Sequence, residues 1–131
     1  MQDRPTSGEL AGAIQEFLKE EILPDLVDPR AKFRALVAMN ALGILEREFA
    51  YEETLLEAEH ERLVRLLDKD PATPTSPGEL RERVVALNRE LAGSIRSEEV
   101  PEGALEAIKE TVADKLRVAS PRYLERYGGG L

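Results

Sequence analysis

The hydrophobic positions of this chain fall into stripes of helical period, and the polar positions between them mark where each stripe starts and stops. Leu10, Ala13, Ile14, Phe17, Leu18 and Ile22 recur near every 3.6 residues behind Thr6-Ser7-Gly8-Glu9. That spacing predicts a helix from about Ser7 to Leu23, closed by Pro24. Phe33, Leu36, Val37, Asn40, Ala41, Ile44 and Leu45 line one face of a second helix, from Pro29 to about Phe49. It is apolar over much of its circumference between Ala35 and Leu45, which marks it as the central, most buried helix. Gly43 inside it costs about 1 kcal/mol against alanine, and a close helix–helix contact there accounts for it. The link Asp25–Asp28 is short, so the first two helices are expected to be antiparallel.

Leu55, Leu56, Leu63, Val64, Leu66 and Leu67 predict a third helix from about Glu52 to Asp68, although its middle, Glu57 to Arg62, is charged almost throughout. The second and third helices either bend apart near Tyr51 or form one rod; the expectation taken is a break. Three prolines between Lys69 and Pro77 forbid regular helix and predict a flexible loop. Leu80, Val84, Leu87, Leu91 and Ile95 give a fourth helix from Pro77 to about Arg96. Leu105, Ile108, Val112, Leu116 and Ala119 give a fifth from about Pro101 to Val118. A short turn follows at Ser120-Pro121 with Tyr123 and Leu124, and Gly128-Gly129-Gly130 is expected to end ordered structure. No strand candidate competes.

Four helix starts are explicit: Thr6, Asp28, Ser76 and Ser120 supply capping oxygens. Proline follows directly at Pro29, Pro77 and Pro121, and Glu9 and Glu79 complete two capping boxes. The fold class is therefore all-α: a compact antiparallel bundle of about five helices plus a short C-terminal helical turn. It is read as one helical domain over residues 1–131, with a flexible loop at about 69–77 and a disordered tail at about 128–131.

Composition narrows the function classes. The chain has 131 residues, a formal net charge of −8 and no cysteine. Acidic balance argues against nucleic-acid and anionic-membrane partners. Without cysteine there are no disulfides, thiolate chemistry or soft-metal sites. No apolar run reaches the roughly 18 residues of a membrane span, and Met1-Gln2-Asp3-Arg4-Pro5 lacks an apolar signal core, so a cytoplasmic location is expected. Arginine outnumbers lysine, which with abundant Ala, Leu and Glu suggests a bacterial source.

No catalytic residue, metal site or cofactor is assigned. The single histidine, His60, forms Glu-x-x-His with Glu57, but a di-iron site needs a second pair, and His60 reads as exposed on a charged helix. Glu79-Leu-Arg-Glu82 lacks the partner motif of magnesium pyrophosphatases, and Glu110 and Asp114 share a face with Lys115 beside them. Candidate ligand-binding residues are Asn40, in the most apolar stretch, Asn88, between Leu87 and Leu91, and Lys115, Arg122 and Tyr123. A buried amide at Asn40 has two readings: a hydrogen bond that fixes helix packing, or a pocket-lining group. Lys115, Arg122 and the amides after Ser120 could likewise form an anion site, or dock the C-terminal turn.

Gln2-Asp3-Arg4-Pro5-Thr6, Phe33-Arg34, Asn40-Ala41-Leu42-Gly43-Ile44, Arg47-Glu48, Leu87-Asn88, Lys115-Leu116 and Pro121-Arg122-Tyr123-Leu124 resemble an uncharacterised bacterial family of all-helical domains. The resemblance spans roughly Gln2 to Leu124. It implies domains encoded beside, or fused to, aminoglycoside-phosphotransferase-like kinases and acyl-CoA dehydrogenases, and it lends no catalytic residues. The expected function is a non-enzymatic accessory or protein-interaction domain, working as a homodimer or on such a kinase-like or dehydrogenase partner. The alternative is a binding protein or enzyme for an acyl or phosphorylated metabolite, using a polar cleft near Asn40 and Arg122.

Overall fold

A computed structural model describes residues 3–71 and 73–130. Met1, Gln2, Ala72 and Leu131 lie outside it, and with them Gln2 of the family-like opening, Ala72 of the expected loop and Leu131 of the expected tail. The fold is all-α, with no strand among the described residues. Helix α1 spans Ser7–Phe17 and runs on through a π turn, Leu18–Ile22, and a 3-10 turn, Leu23–Asp25. Then come α2 (Pro29–Leu66), α3 (Pro77–Arg96), α4 (Ala104–Ala119), α5 (Pro121–Tyr127) and a 3-10 turn at Gly128–Gly130.

The expected break near Tyr51 does not occur: α2 is a single helix of 38 residues. A kink needs proline, glycine or an inserted cap, and none stands between Gly43 and Pro71. What changes along this rod is the identity of the covered residues, and that does not interrupt the backbone ladder.

Capping follows the sequence with three departures, the first being Ser120, whose side chain makes no capping hydrogen bond to α5. Thr6 and Glu9 form the full reciprocal box, and Asp28 Oδ1 accepts from the Arg30 amide at 3.2 Å. Ser76 Oγ accepts from the Glu79 amide, but the Glu79 carboxylate reaches past it to the Thr75 amide (2.7 Å) and hydroxyl (2.5 Å). Helix α4 starts after Pro101, at Ala104, because Gly103 turns the chain at φ +84°, which favours glycine.

The chain divides into two units, one up to Glu52 and one from Glu53 onward. In the first, α1 lies antiparallel against the opening half of α2. Gly8 sits against Phe49, Gly12 against Glu46, and Gln15 Nε2 donates to the Met39 carbonyl at 2.9 Å. Gly43 is buried beside Gln15: a methyl there would stand 2.9 Å from Gln15 Nε2, which is the close approach its presence implied. The expectation that this helix is the most buried fails. Phe33 is 67% exposed, and Leu36, Val37 and Leu45 are 51–53% exposed. One short helix covers only one side of a cylinder that is apolar over most of its circumference.

The second unit holds the continuous core: Leu63 of α2, Leu80, Val84, Leu87 and Leu91 of α3 and Ala104 of α4, flanked by Leu56, Val64, Leu66 and Leu67. The loop after α2 doubles back, so α3 starts beside Glu57 and His60 and reaches Lys69 by Glu90, whose carboxylate is 2.7 Å from Lys69 Nζ. Helix α4 runs opposite to α2, pairing Glu110 with Arg62 and Lys115 with Glu59. Its expected inward stripe is displaced. Leu105, Ile108 and Val112 are exposed, and Ala104 and Asp114 are buried instead, with Ala107 and Thr111 half-buried between them.

Candidate functional site

Two polar groups of α2 interrupt its buried line. Leu56, Glu59, His60 and Leu63 fall on one helical face, and Glu59, His60 and Leu63 are all buried. The reading of His60 as exposed is thus corrected: the alternation of charged neighbours hid the spacing from Leu56 to Leu63, the signal that places 59 and 60 inward.

Asn88 Nδ2 donates to Glu59 Oε1 at 2.9 Å and to the Val84 carbonyl at 3.1 Å, and Lys115 Nζ stands 3.6 Å from the same Glu59 oxygen. Two of the five sequence candidates, Asn88 and Lys115, therefore meet, and the group that joins them is one the sequence did not single out. One turn along, Arg62 Nη2 donates to Asp114 Oδ2 at 2.7 Å, and its Nη1 is 3.6 Å from Glu110 Oε2. Arg117 pairs with the other Asp114 oxygen. The shared face of Glu110 and Asp114 is thus directed at a guanidinium. Among the described residues no three His, Asp or Glu side chains converge as a metal would need. Buried charges demand partners, and apart from Arg62 Nε, which is buried without one, this ladder supplies them across three helices, fixing how α4 sits on α2 and α3. Beside it, Asn88, Lys115, Arg62, Leu91 and Thr111 help line a small cavity of about 190 Å3.

The other side of His60 meets a larger cleft of about 490 Å3, formed where the proline-rich loop lies along α2. Glu53, Glu57 and Glu61 line it with His60, Val64, Thr73, Thr75 and Leu80. His60 Nε2 is buried with no hydrogen-bond partner. Burial pushes the His60 pKa below the usual range and the Arg83 cation adds to this, while Glu61 opposes it. At the loop's end, the two bonds from Thr75, with a smaller contribution from Arg83, hold the Glu79 carboxyl below its usual range.

The remaining candidates are not members of this ladder. Asn40 belongs to the first unit and is exposed, so no desolvation cost attaches to its amide. Arg122 and Tyr123 lie on α5 and are exposed; the Tyr123 ring meets Tyr127 at 4.8 Å between centroids, with Arg126 over Tyr127. The Tyr123 and Leu124 amides donate to the Ser120 carbonyl at 3.1 and 3.3 Å, and Lys115 is directed at Glu59.

A family model matches residues 24–123, from the end of the first helical segment to Tyr123. The chain belongs to the DUF6285 family. That family is described as a domain of unknown function, and the description names no reaction, ligand or partner. No curated protein and no solved structure matches the chain. No helix among the described residues is long and apolar enough to cross a membrane.

Proposed function

We propose that this DUF6285 domain is a non-enzymatic protein-interaction module, with the first unit as its docking element and the second as the folded base. The observation that carries the reading is the uncovered apolar surface of α1 and α2. Leu10, Ile14, Phe17, Phe33, Leu36, Val37, Leu45 and Phe49 are each about half exposed or more, eight large apolar side chains on two helices. The charged groups of the second unit also support it, since Arg62 pairs with Asp114 and Glu59 with Asn88 and Lys115, and all of them hold helices together. A kinase-like or acyl-CoA dehydrogenase partner, and a cytoplasmic setting, extend this reading from the sequence resemblance and the composition. Native-extract size analysis of the full chain tests it. The expected result is migration in an assembly larger than the monomer that Val37→Asp disperses; a monomer in both cases overturns it.

One observation favours a second reading, binding of a small amine or other cationic metabolite: the partnerless His60 Nε2 beside a cleft carrying Glu53, Glu57 and Glu61. Its support would be saturable shifts of the His60 ring resonances with a polyamine probe, absent in Glu57→Gln; unshifted resonances remove it.

A further inference from the structure

Resting on the docking reading above, we infer that the occupant of the α2 face is a second copy of this chain, packed antiparallel across residues 38–39. Arg30, Phe33, Val37, Asn40 and Ile44 recur at alternating spacings of three and four, and Glu48 follows four residues on. That spacing is the seam of a helix pair. All of them are exposed except Ile44, which is half-buried.

The seam is complementary to itself. It has a cation at one end, an anion at the other and apolar residues between. Reversed against its own copy, Arg30 meets Glu48, Phe33 meets Ile44 and Val37 meets Asn40, and all three pairings are centred on residues 38–39. A parallel pair would instead set Arg30 on Arg30 and Glu48 on Glu48. Near the two-fold axis the two Asn40 amides stand about 3–5 Å apart along the helices at a rise of ~1.5 Å per residue. They are then in reach of each other, the arrangement by which a seam asparagine fixes register.

Behind its Asp28 cap, helix α2 also opens with Arg30, Lys32 and Arg34 and has no acidic residue within its first turn, a run of cations that opposes its dipole. Glu48 of a second copy offsets it. The area is sufficient. Phe33, Leu36 and Val37, each more than half exposed, offer on the order of 100 Å2 apiece. With Ala41, Ile44, the central Asn40 and a polar rim of Arg30, Arg34 and Glu48, the contact approaches the roughly 800 Å2 per partner of a stable complex.

Sedimentation of the purified full chain from about 1 to 200 μM tests the inference, with helicity checked by circular dichroism. A monomer–dimer equilibrium is expected. Arg30→Glu and Glu48→Arg should each weaken it about tenfold, since each turns two attractive pairs repulsive. The double variant should restore most of the loss. Arg30→Glu places an acid where the helix dipole favours one, so lost association there cannot be assigned to a lost helix. A monomer at 200 μM, or a dimer indifferent to the single reversals, overturns the inference. If the pure chain is monomeric while the extract assembly persists and Val37→Asp disperses it, this inference falls and the docking reading stands.

Discussion

At the residue scale, His60 shows how one buried polar side chain ties stability to pH. Its folded-state pKa lies below the ordinary value of about 6.5, so folding favours the neutral ring. Above that value the ring is neutral in both states and nothing is lost. As pH falls below it, the unfolded chain takes up the proton first, and stability declines until the folded-state pKa is passed. Glu79 acts in a lower window: its carboxyl is also depressed, so its contribution is present above the ordinary carboxylate range and is lost as pH falls through its own lowered pKa. Urea midpoints between pH 7.5 and 5 should therefore fall for the wild type and fall less for His60→Gln. Equal slopes in the two proteins would show that His60 is not the group responsible.

At the scale of elements, Gly43 links the first two helices. Alanine at that position gains about 1 kcal/mol of helix propensity. It also displaces the tip of Gln15, breaking the bond to the Met39 carbonyl, worth a similar amount. Gly43→Ala is thus expected to be close to neutral in the wild type and stabilising by about 1 kcal/mol in a Gln15→Ala background. The same increment in both backgrounds would mean that the two side chains do not compete for space. The single rod of α2 belongs to this scale too. No proline or glycine stands between Gly43 and Pro71, and the charged stretch Glu57–Arg62 leaves the backbone ladder intact.

At the scale of the whole molecule, the two units differ in how well they are covered. The second has a shared core of leucines and a valine, whereas the first buries little beyond Gly8, Ala11 and Gly43. Amide protection follows buried packing. Hydrogen exchange at low concentration should therefore be faster in α1 and residues 29–49 than in α3. Raising the concentration should slow it in the first unit alone, because association covers that surface. Uniform protection across α1 and α3 in dilute solution would contradict this order.

The sequence by itself determined the helices, because caps, prolines and 3.6-residue stripes act within a few neighbours: Thr6, Asp28, Pro77 and the Leu80–Leu91 stripe all stand as expected. It also placed Asn88 between Leu87 and Leu91 and Lys115 near the end of α4. Only the tertiary structure decided that Glu59 joins them, that Arg62 takes up Glu110 and Asp114, and that the most apolar helix face stays open while α4 turns inward its smaller side chains. Those outcomes depend on which surfaces find a neighbour. Periodicity along one helix defines a surface that can be buried, and the packing partner determines whether it is.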